Sequence, residues 1–330
     1  MSDLTLSLAS WDYDRMKAIA EGTIKPVGIN LIYLSLPVEE IFWRLTKYQE
    51  FDVSEMSLSS YLIAKDRDLL DYTAIPVFPS RFFRHSCVFV NTNANIERPE
   101  DLKGKRVGVP EYQMTASLWI RGFLEHDYGV KAKDMSWYSG GLEETGREEK
   151  IKLNLPDDIS IQAIKPDQTL NSMLESGEID ALMSARTPSG FVKGSPNIKR
   201  LFPNYVETEK DYYRRTGFFP IMHVIVVRNE ILRKYPWVAT NLMTAFEQSK
   251  QAVYDSYNET AALKTTFPWQ VHVFEEAKEL MGEDYWPYGI SKNKATIEAA
   301  IRYSYEQGLT SRKRSIGELF VASTFGQFKI

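Results

Sequence analysis

Strand-like and helix-like segments alternate along the first 90 residues, and this alternation restricts the fold more than any other feature. Segments 4–10 and 29–36 have the apolar pattern of strands, and a segment with helical spacing follows each of them. The first of these helices, 13–22, closes at Gly22, a usual C-terminal stop. Strands that alternate with helices predict βαβ units and a mainly parallel sheet.

A second α/β unit begins near residue 104, and a long apolar strand then appears at 222–228 before a helical C-terminal part. We therefore predict an α/β clamshell of two lobes with mixed, mainly parallel sheets flanked by helices. Lobe 1 comprises 1–100 and 216–330, and lobe 2 comprises 101–215. Ligands commonly bind between domains and at the carboxyl ends of strands, so we expect the site in the cleft.

Composition narrows the classes of partner. The 330-residue chain has a net charge of −4, which gives no basic field for nucleic acid or an anionic membrane. Its one cysteine, Cys87, allows neither an intrachain disulfide nor a cysteine-based metal site. No stretch approaches the ~20 apolar residues of a membrane span, and the first residues lack the features of a signal peptide. We expect a cytoplasmic protein, and a homo-oligomer is compatible with the sequence.

Two segments carry a resemblance at the level of the fold. The stretch EDLKGKRVGVPEYQMTASLWIRGFLEHDYGV (100–130) and the stretch TLNSMLESGEIDALMSARTP (169–188) resemble the type II periplasmic-binding-protein fold. Such sequence segments occur widely among solute-binding proteins. The resemblance therefore supports the two-lobed architecture more than any one function.

Four narrower segments resemble the 4,5-dihydroxyphthalate decarboxylase family, and the resemblance runs from about residue 4 to about residue 310. They are SEMSLSSYLIAKDR (54–67), PVFPSRFFRHSCVFVN (76–91), VPEYQMTASLWIRG (109–122) and WYSGGLEETGREEK (137–150). The resemblance implies an enzyme that converts a small aromatic carboxylate, 4,5-dihydroxyphthalate, to protocatechuate and CO2. Two alternatives stay open: a non-catalytic binding protein for an aromatic or other organic anion, and another enzyme on this fold that makes a pyrimidine or menaquinone precursor.

Decarboxylation of a hydroxylated aromatic acid needs a proton donor for the ring carbon, a base near a hydroxyl and a cation for the second carboxylate. Among the four histidines, His85 and His223 each begin a predicted strand, and both are candidate proton donors. His126 and His272 are expected to be structural or solvated. A structural role is the alternative for His85 and His223 as well.

Arginines are the natural carboxylate anchors because their planar fork matches the two oxygens. Arg81 and Arg84 flank two phenylalanines ahead of an apolar strand, and Arg186 follows a strand of the second lobe. We predict that these three bind substrate, with solvated loop charges as the alternative. The charged segment 140–150 is expected to be a solvated loop, and the alternative is that its Arg147 reaches the cleft.

Two similar turns supply the other candidates. Glu111, Tyr112 and Thr115 lie at a strand-to-helix turn of the second lobe, and Glu55 and Ser57 lie at a comparable turn of the first. Glu111 is the candidate base, and the other four are candidate ligand contacts. No HExxH, GxGxxG or GxxxxGK[ST] motif is present, so we predict no cofactor. The sequence leaves a divalent metal open.

Overall fold

The first lobe is built on a five-stranded sheet. Its elements are β1 Leu4–Ser10, α1 Asp14–Ala20, β2 Ile29–Ser35, α2 Val38–Tyr48, β3 Val53–Ser57, α3 Leu58–Asp66, β4 Tyr72–Ile75 and, from late in the chain, β11 His223–Arg228. In this computed structural model, which describes residues 3–326, the strand order is β2-β1-β3-β11-β4. The strand β1 is parallel to β2 and β3, whereas β11 is antiparallel to β3 and β4.

The second lobe has a six-stranded sheet in the order β10-β5-β9-β6-β7-β8. Its elements are β5 Val88–Asn91, β6 Arg106–Val109, α4 Thr115–Tyr128, β7 Ser136–Ser139, β8 Ile161–Ala163, α5 Leu170–Ser176, β9 Ala181–Met183, α6 Ser189–Val192, β10 Ile198–Arg200 and α7 Tyr205–Thr216. The four strands β9, β6, β7 and β8 are parallel, and β5 is antiparallel to both of its neighbours. Both sheets are therefore mixed, as the sequence predicts.

The C-terminal part is helical. Its helices are α8 Asn229–Lys234, α9 Val238–Asn258, α10 Gln270–Met281, α11 Lys294–Glu306 and α12 Ile316–Leu319. The helix α9 packs on α1 of the first lobe, whereas α11 contacts both α3 of the first lobe and α4 of the second. The C-terminal helices thus brace the two lobes together on one side of the molecule.

The chain crosses between the lobes twice, and the two crossings lie side by side. The first runs from the end of β4 to the start of β5, and the second runs from the end of α7 to the start of β11. Arg81 and Ile221 form an antiparallel bridge between them, and the Met222 amide donates to the Ser80 carbonyl at 2.8 Å. Paired crossing segments of this kind form a hinge between the lobes.

The first crossing comes earlier than the predicted lobe boundary at residue 100. The strand β5 pairs with β9 and β10, so residues 88–91 belong to the second sheet. The predicted strand at 85–92 is also shorter, because His85–Cys87 form a 3-10 turn before β5. These two differences move His85 out of the first lobe, where the prediction had placed it. The predicted return at residue 216 coincides with the end of α7.

The central strands of the first sheet set up the functional site. All five residues of β3 are buried, and so are the four apolar residues Val224–Val227 at the centre of β11. The strand β3 nevertheless contains Glu55, which is 0% exposed. A charged group in such a strand is costly unless hydrogen bonds and an opposite charge compensate it, so this position predicts a specific set of partners.

Within the described residues 3–326, we find no helix that combines the length and the apolar character needed to cross a membrane.

Candidate active site

A small cavity of about 90 Å³ lies between the lobes, next to the hinge. It is bounded by Ser57, Ser60, Met222 and His223, by Val38, Glu39 and Phe42 of α2, and by a second-lobe and hinge set consisting of Arg84, Glu111, Met114, Thr115, Ala116, Arg147, Lys150 and Ala185. We call it the inner cavity. Its lining combines apolar side chains with a few charged ones, which is the usual composition of a small-molecule site.

A larger cavity of about 440 Å³ adjoins the inner one and opens toward solvent. The two share Glu39, Glu111, Arg147 and Lys150 as lining residues. We call this larger space the outer cavity. The shared charged residues therefore form the partition that a ligand passes on its way to the hinge.

The most constrained pair in the inner cavity is Glu55 and His223. The strands β3 and β11 pair with Glu55 opposite Ile225 and Ser57 opposite His223, so Glu55 and His223 are diagonal neighbours on one face of the sheet. Glu55 Oε1 lies 2.5 Å from Nδ1 of His223. The edge of the Phe42 ring packs against the imidazole, with the ring centroids 4.9 Å apart.

Glu55 is held as an anion by donors from several segments. Its Oε2 accepts hydrogen bonds from the Ser10 hydroxyl at 2.8 Å and the Trp11 amide at 3.0 Å, and its Oε1 also accepts one from Tyr13 at 2.7 Å. Burial alone would raise the pKa of Glu55. The hydrogen bond and charge of His223, with the Trp11 and Tyr13 donors, bring the pKa below its usual value instead.

This arrangement fixes which nitrogen of His223 faces the cavity. A carboxylate on Nδ1 requires that Nδ1 carry a proton, so Nε2 is the atom left to accept or deliver one. Among the described residues, Nε2 of His223 has no hydrogen-bond partner, and the side chain retains 16% exposure toward the cavity. The geometry is that of a histidine prepared for proton transfer at Nε2.

Arg84 places a poorly compensated positive charge at the same cavity. The residue is 9% exposed, and its guanidinium contacts the sulfur atoms of Met222 and Cys87 at 3.2 and 3.6 Å. It also reaches the Ala185 carbonyl at 3.5 Å, and it stacks on the Phe82 ring. No carboxylate of the described residues lies within salt-bridge distance of it. A buried guanidinium with such weak partners is a ready site for a ligand anion.

Arg186 of the outer cavity contacts Glu39 of the four-residue partition and extends it to five charged side chains. Both Arg147 nitrogens that face Glu111 donate to the same oxygen, Oε1, at 2.7 and 2.9 Å, and Lys150 contacts that oxygen as well. The remaining nitrogen of Arg147 donates to Glu39 of α2 at 2.9 Å, and Arg186 contacts the other Glu39 oxygen at 3.2 Å. Glu39 therefore links the first lobe to two arginines of the second.

Charge in this partition is unequal. Arg147, Lys150 and Arg186 supply three positive charges against the two negative charges of Glu39 and Glu111. Burial would raise the pKa of Glu39, but Arg147 and Arg186 hold it below its usual value, so Glu39 stays ionised. Glu111 is 2% exposed, and its Oε2 has no partner among the described residues. One unshared carboxylate oxygen therefore borders the inner cavity.

The two predicted turns meet across the cleft. Ser57 precedes α3 and Thr115 begins α4, and their hydroxyls lie 2.8 Å apart. The Thr115 hydroxyl also accepts the Ser59 amide at 3.0 Å. The N-termini of α3 and α4 thus converge on the inner cavity, where their dipoles favour a negatively charged ligand.

Glu149 positions the loop that carries Arg147 and Lys150. Its carboxylate accepts the Tyr112 amide at 2.5 Å and the Gln113 side-chain amide at 2.9 Å. The loop is thereby attached to the turn before α4, and its cations are directed to Glu111. The prediction that 140–150 is a solvated loop is wrong for Arg147 and Lys150, because Glu149 folds this part of the segment inward.

Four predicted site residues line neither cavity: Glu55, which lies behind His223, and the three residues described next. His85 stacks on Phe123 with ring centroids 4.0 Å apart, is 1% exposed and has no hydrogen-bond partner for either ring nitrogen in the described part of the chain. Arg81 donates to the carbonyls of Phe219 and Pro287 at 2.9 and 2.7 Å and so braces the hinge. Tyr112 packs under the Arg121 guanidinium, with its hydroxyl on the Gln307 carbonyl at 3.3 Å.

These placements correct the predicted role of His85 as a proton donor and the predicted substrate contacts of Arg81 and Tyr112. Glu55, predicted as a ligand contact, is fully buried and contacts His223 instead. His85 and Arg81 differ from prediction because β5 enters the second sheet and the crossing segment is folded against its partner. The other predicted residues do come together. The inner cavity contains His223, Arg84, Glu111, Ser57 and Thr115, while Glu55 lies directly behind His223 and Arg186 lines the outer cavity.

Sequence reasoning missed Tyr13, Glu39, Phe42 and Lys150. Glu39 and Phe42 lie in an amphipathic helix whose pattern indicates only which face is buried. Lys150 ends the charged segment that the sequence predicted to be solvated. Tyr13 had one available signal, its place just after a strand that ends at the cleft.

No group of three or more His, Cys, Asp or Glu side chains within residues 3–326 has an arrangement that could hold a metal ion.

Comparison with known proteins places this geometry in context. The family model for the periplasmic substrate-binding protein of a phosphonate ABC transporter matches residues 36–148. A protein of Comamonas testosteroni named 4,5-dihydroxyphthalate decarboxylase is 40% identical over 330 residues, which is 100% of both chains. A Pseudomonas putida protein of the same name is 43% identical over 218 residues, covering 66% of this chain and 84% of the relative.

Solved structures support the fold. The periplasmic aliphatic sulphonate binding protein SsuA from Escherichia coli aligns with 99% of this chain and 100% of its own, at a TM-score of 0.55 and 13% identity. The alkanesulfonate-binding protein SsuA from Xanthomonas axonopodis pv. citri, bound to MOPS, aligns with 98% of both chains at a TM-score of 0.53 and 12% identity. The predicted two-lobed architecture of the periplasmic-binding-protein kind is confirmed.

The link between Glu39 and the second lobe predicts a measurable change in shape. In Glu39→Gln, the bridges to Arg147 and Arg186 lose their charge, so we expect the cleft to open further. Small-angle scattering should show the radius of gyration rising by a few per cent from the ~20 Å expected for this length. The matched control is Glu40→Gln, because Glu40 pairs only within its own helix, with Arg44. Scattering of Glu39→Gln that superimposes on the wild type would contradict this role.

The burial of His85 predicts a pH-dependent loss of stability. Desolvation, with a smaller contribution from Arg215, lowers the pKa of His85 to about 3, whereas an unfolded histidine titrates near ~6.5. As the pH falls through that window, the unfolded chain takes up a proton that the folded protein does not, so stability is lost.

His85→Phe lacks this proton uptake. Between pH 8 and pH 5, its free energy of unfolding should therefore fall by about 2 kcal/mol less than that of the wild type. Urea unfolding at both pH values measures the difference. Glu209, whose pKa burial raises to about 7, acts in the opposite direction but is present in both proteins. The control is His272→Phe, because His272 is exposed. If the free energies of unfolding of His85→Phe and the wild type differ by the same amount at both pH values, the account is refuted.

Proposed function

The chain belongs to the 4,5-dihydroxyphthalate decarboxylase family, and from this membership and the inner cavity we propose that it converts 4,5-dihydroxyphthalate to protocatechuate and CO2. One observation carries the proposal beyond the family name. The inner cavity is lined both by a histidine that a buried carboxylate orients and by a buried arginine that has no carboxylate partner among residues 3–326. The first can deliver a proton, and the second can hold an acid.

The substrate is a dianion, and the cavity offers more than one place for its charge. Arg84 is the anchor for the carboxylate that the product retains, because it has no carboxylate partner of its own. Arg147 and Lys150 also line this cavity, and together with Arg186 they give the partition one more positive than negative charge. The N-termini of α3 and α4 add to the same field. Each of these groups favours an organic anion over a neutral ligand.

His223 is the proposed proton donor. With Nδ1–H held by Glu55, protonated His223 transfers the proton on Nε2 to the ring carbon that bears the departing carboxylate. A C–H bond forms, the C–C bond to the carboxylate breaks, its electron pair returns to the ring, and CO2 leaves. The imidazole then regains a proton from solvent. Before this transfer, Glu55 stabilises the positive charge on the imidazole ring of His223, as carboxylates do for catalytic histidines.

Glu111 is the proposed base for a ring hydroxyl. Loss of a proton from the hydroxyl para to the departing carboxylate raises the electron density at the carbon that His223 protonates. Because Arg147 and Lys150 both bind Oε1, the free Oε2 is the atom available for this hydrogen bond. The cations also keep Glu111 in a defined orientation at the cavity wall.

The rest of the cavity suits the loss of charge that decarboxylation entails. Phe42, Met114 and Met222 present apolar surface beside His223. A carboxylate that lies against them is poorly solvated, whereas neutral CO2 is not penalised there. The departing carboxylate is therefore assigned to the His223 side of the cavity. The carboxylate that the product retains is assigned to Arg84.

Reversible binding of an aromatic or other organic anion is the second candidate function. It is favoured by the arginines and helix N-termini, and the similar solved structures are named as binding proteins. At identities of 13% and 12%, these structures support the fold alone and not a binding function for this chain. Cofactor independence, a cytoplasmic location and the oligomeric state stay predictions.

Replacement of the proton donor tests the function directly. Purified protein incubated with carboxyl-labelled 4,5-dihydroxyphthalate should release labelled CO2 and form protocatechuate. His223→Gln should lower kcat by about 100-fold or more with little change in KM, since general acid catalysis contributes about that much. The control is His272→Gln, on the exposed face of α10. Tight binding without turnover by the wild type would favour the binding function instead.

Removal of the anchor should produce the opposite kinetic pattern. Arg84→Gln is expected to raise KM for the dianion by about 30-fold, because a buried charged contact contributes about 2 kcal/mol or more. The effect on kcat should be smaller. Arg186→Gln, which removes an exposed cation at the outer cavity, should change KM by only a few-fold. Equal effects of the two substitutions on KM would show that Arg84 is not the anchor.

A further inference from the structure

Tyr13 lies directly behind the Glu55–His223 pair. It occupies the turn between β1 and α1, and its hydroxyl donates to Oε1 of Glu55 at 2.7 Å. The same oxygen faces Nδ1 of His223 at 2.5 Å, and the phenol oxygen itself lies 3.4 Å from Nδ1. Three polar groups thus converge within hydrogen-bond reach of one another, and only His223 of the three lines the cavity.

The Tyr13 ring is fixed by a stack that leads to the hinge. The Arg15 guanidinium lies 4.1 Å from the centroid of Tyr13 on one side and 4.2 Å from that of Trp286 on the other. Arg15 Nε donates to the Pro79 carbonyl at 2.5 Å, and Trp286 Nε1 donates to the Phe78 carbonyl at 2.9 Å. Both carbonyls belong to the first crossing segment. Rotation of the phenol away from Glu55 would therefore disturb several contacts at once.

The Tyr13 hydroxyl serves Glu55 as a hydrogen-bond donor. Burial, with the charge of Glu55, raises the pKa of Tyr13 far above its ordinary value, so the phenol keeps its proton at every accessible pH. Its hydrogen bond pulls negative charge on Glu55 toward Oε1, the oxygen that orients the imidazole. Without the phenol, Oε1 would retain only its contact with His223, while Ser10 and Trp11 would still hold Oε2. The position of Oε1 against Nδ1 would therefore be less restricted.

We propose that Tyr13 is a positioning residue that holds Oε1 of Glu55 on Nδ1 of His223, so that Nε2 points at the ring carbon to be protonated. This inference rests on the proposed role of His223 as proton donor. Its physical basis is the same as for carboxylates that orient catalytic histidines, extended by one hydrogen bond. Tyr13 acts through Glu55 and makes no contact with the cavity.

Other charged and titratable groups around the pair are few. Arg15 on α1 and Asp12 lie on the Tyr13 side, Tyr33 of β2 is close enough to feel the charge of Glu55, and Arg84, Arg147, Lys150 and Glu111 face His223 across the cavity. None of these groups hydrogen-bonds to Oε1 of Glu55, whose partners in the described residues are Tyr13 and His223. The effect of removing the phenol can therefore be separated from theirs.

The first test observes the histidine itself and needs no turnover. The Nδ1–H proton of His223 should give a hydrogen-bonded NMR signal, assigned by its loss in His223→Gln, in a chain with 4 histidines. In Tyr13→Phe, which keeps the ring and its stack on Arg15, that proton should exchange with water about tenfold faster. The control is Tyr33→Phe, because Tyr33 donates to the Trp11 carbonyl at 2.9 Å and not to Glu55. An unchanged exchange rate in Tyr13→Phe would overturn the proposal.

The second test uses kinetics with 4,5-dihydroxyphthalate. Tyr13→Phe should lower kcat by about tenfold and leave KM within about twofold, since only the orientation of the donor is lost. Tyr33→Phe should match the wild type. A rise in KM of Tyr13→Phe without a fall in kcat would contradict positioning. If the NMR signal responds but no variant or wild type releases CO2, the proposed function fails while the role of Tyr13 at His223 stands.

Discussion

The buried carboxylate of Glu55 is the constraint on which the site depends. An ionised group that is 0% exposed in a central strand must find donors for both oxygens. It takes them from the end of β1, from the turn that follows and from the start of β11. Residues 10–13, β3 and β11 are far apart in sequence and meet only when the first sheet is assembled. The hydrogen bonds that orient the proposed proton donor therefore depend on the assembly of this sheet.

The architecture explains how a binding-protein fold can accommodate catalysis. Two converging helix N-termini, and an arginine without a carboxylate partner in the described residues, provide a positive potential that favours an organic anion between the lobes. What the inner cavity adds is a histidine with one nitrogen fixed by a carboxylate and the other turned toward the ligand. The loop around Arg147 and Glu39 of α2 lie between the inner and outer cavities, which shields the proposed proton transfer from bulk water.

The sequence predicted the fold and about half of the site, and the reasons for the rest are physical. Five site residues could be found because each lies where a strand or helix meets the cleft, a place that hydrophobic periodicity locates well. They are His223, Glu55, Ser57, Thr115 and Glu111. His85 could not be placed, because the sheet to which a short strand belongs depends on pairings with β9 and β10 that its own residues do not encode. Lys150 was missed, and Arg147 was expected in a solvated loop, because a single half-buried partner, Glu149, folds a charged segment inward.

The position of a bound ligand would test the central claim most directly. Phthalate has both carboxylates but lacks the hydroxyls that promote loss of CO2, so it should bind without reacting. In a crystal structure of the complex, one carboxylate should lie within hydrogen-bond distance of Arg84, and the ring carbon that bears the other should lie about 3.5 Å from Nε2 of His223. A ring in the outer cavity, or Nε2 hydrogen-bonded to the carboxylate that Arg84 holds, would contradict the account.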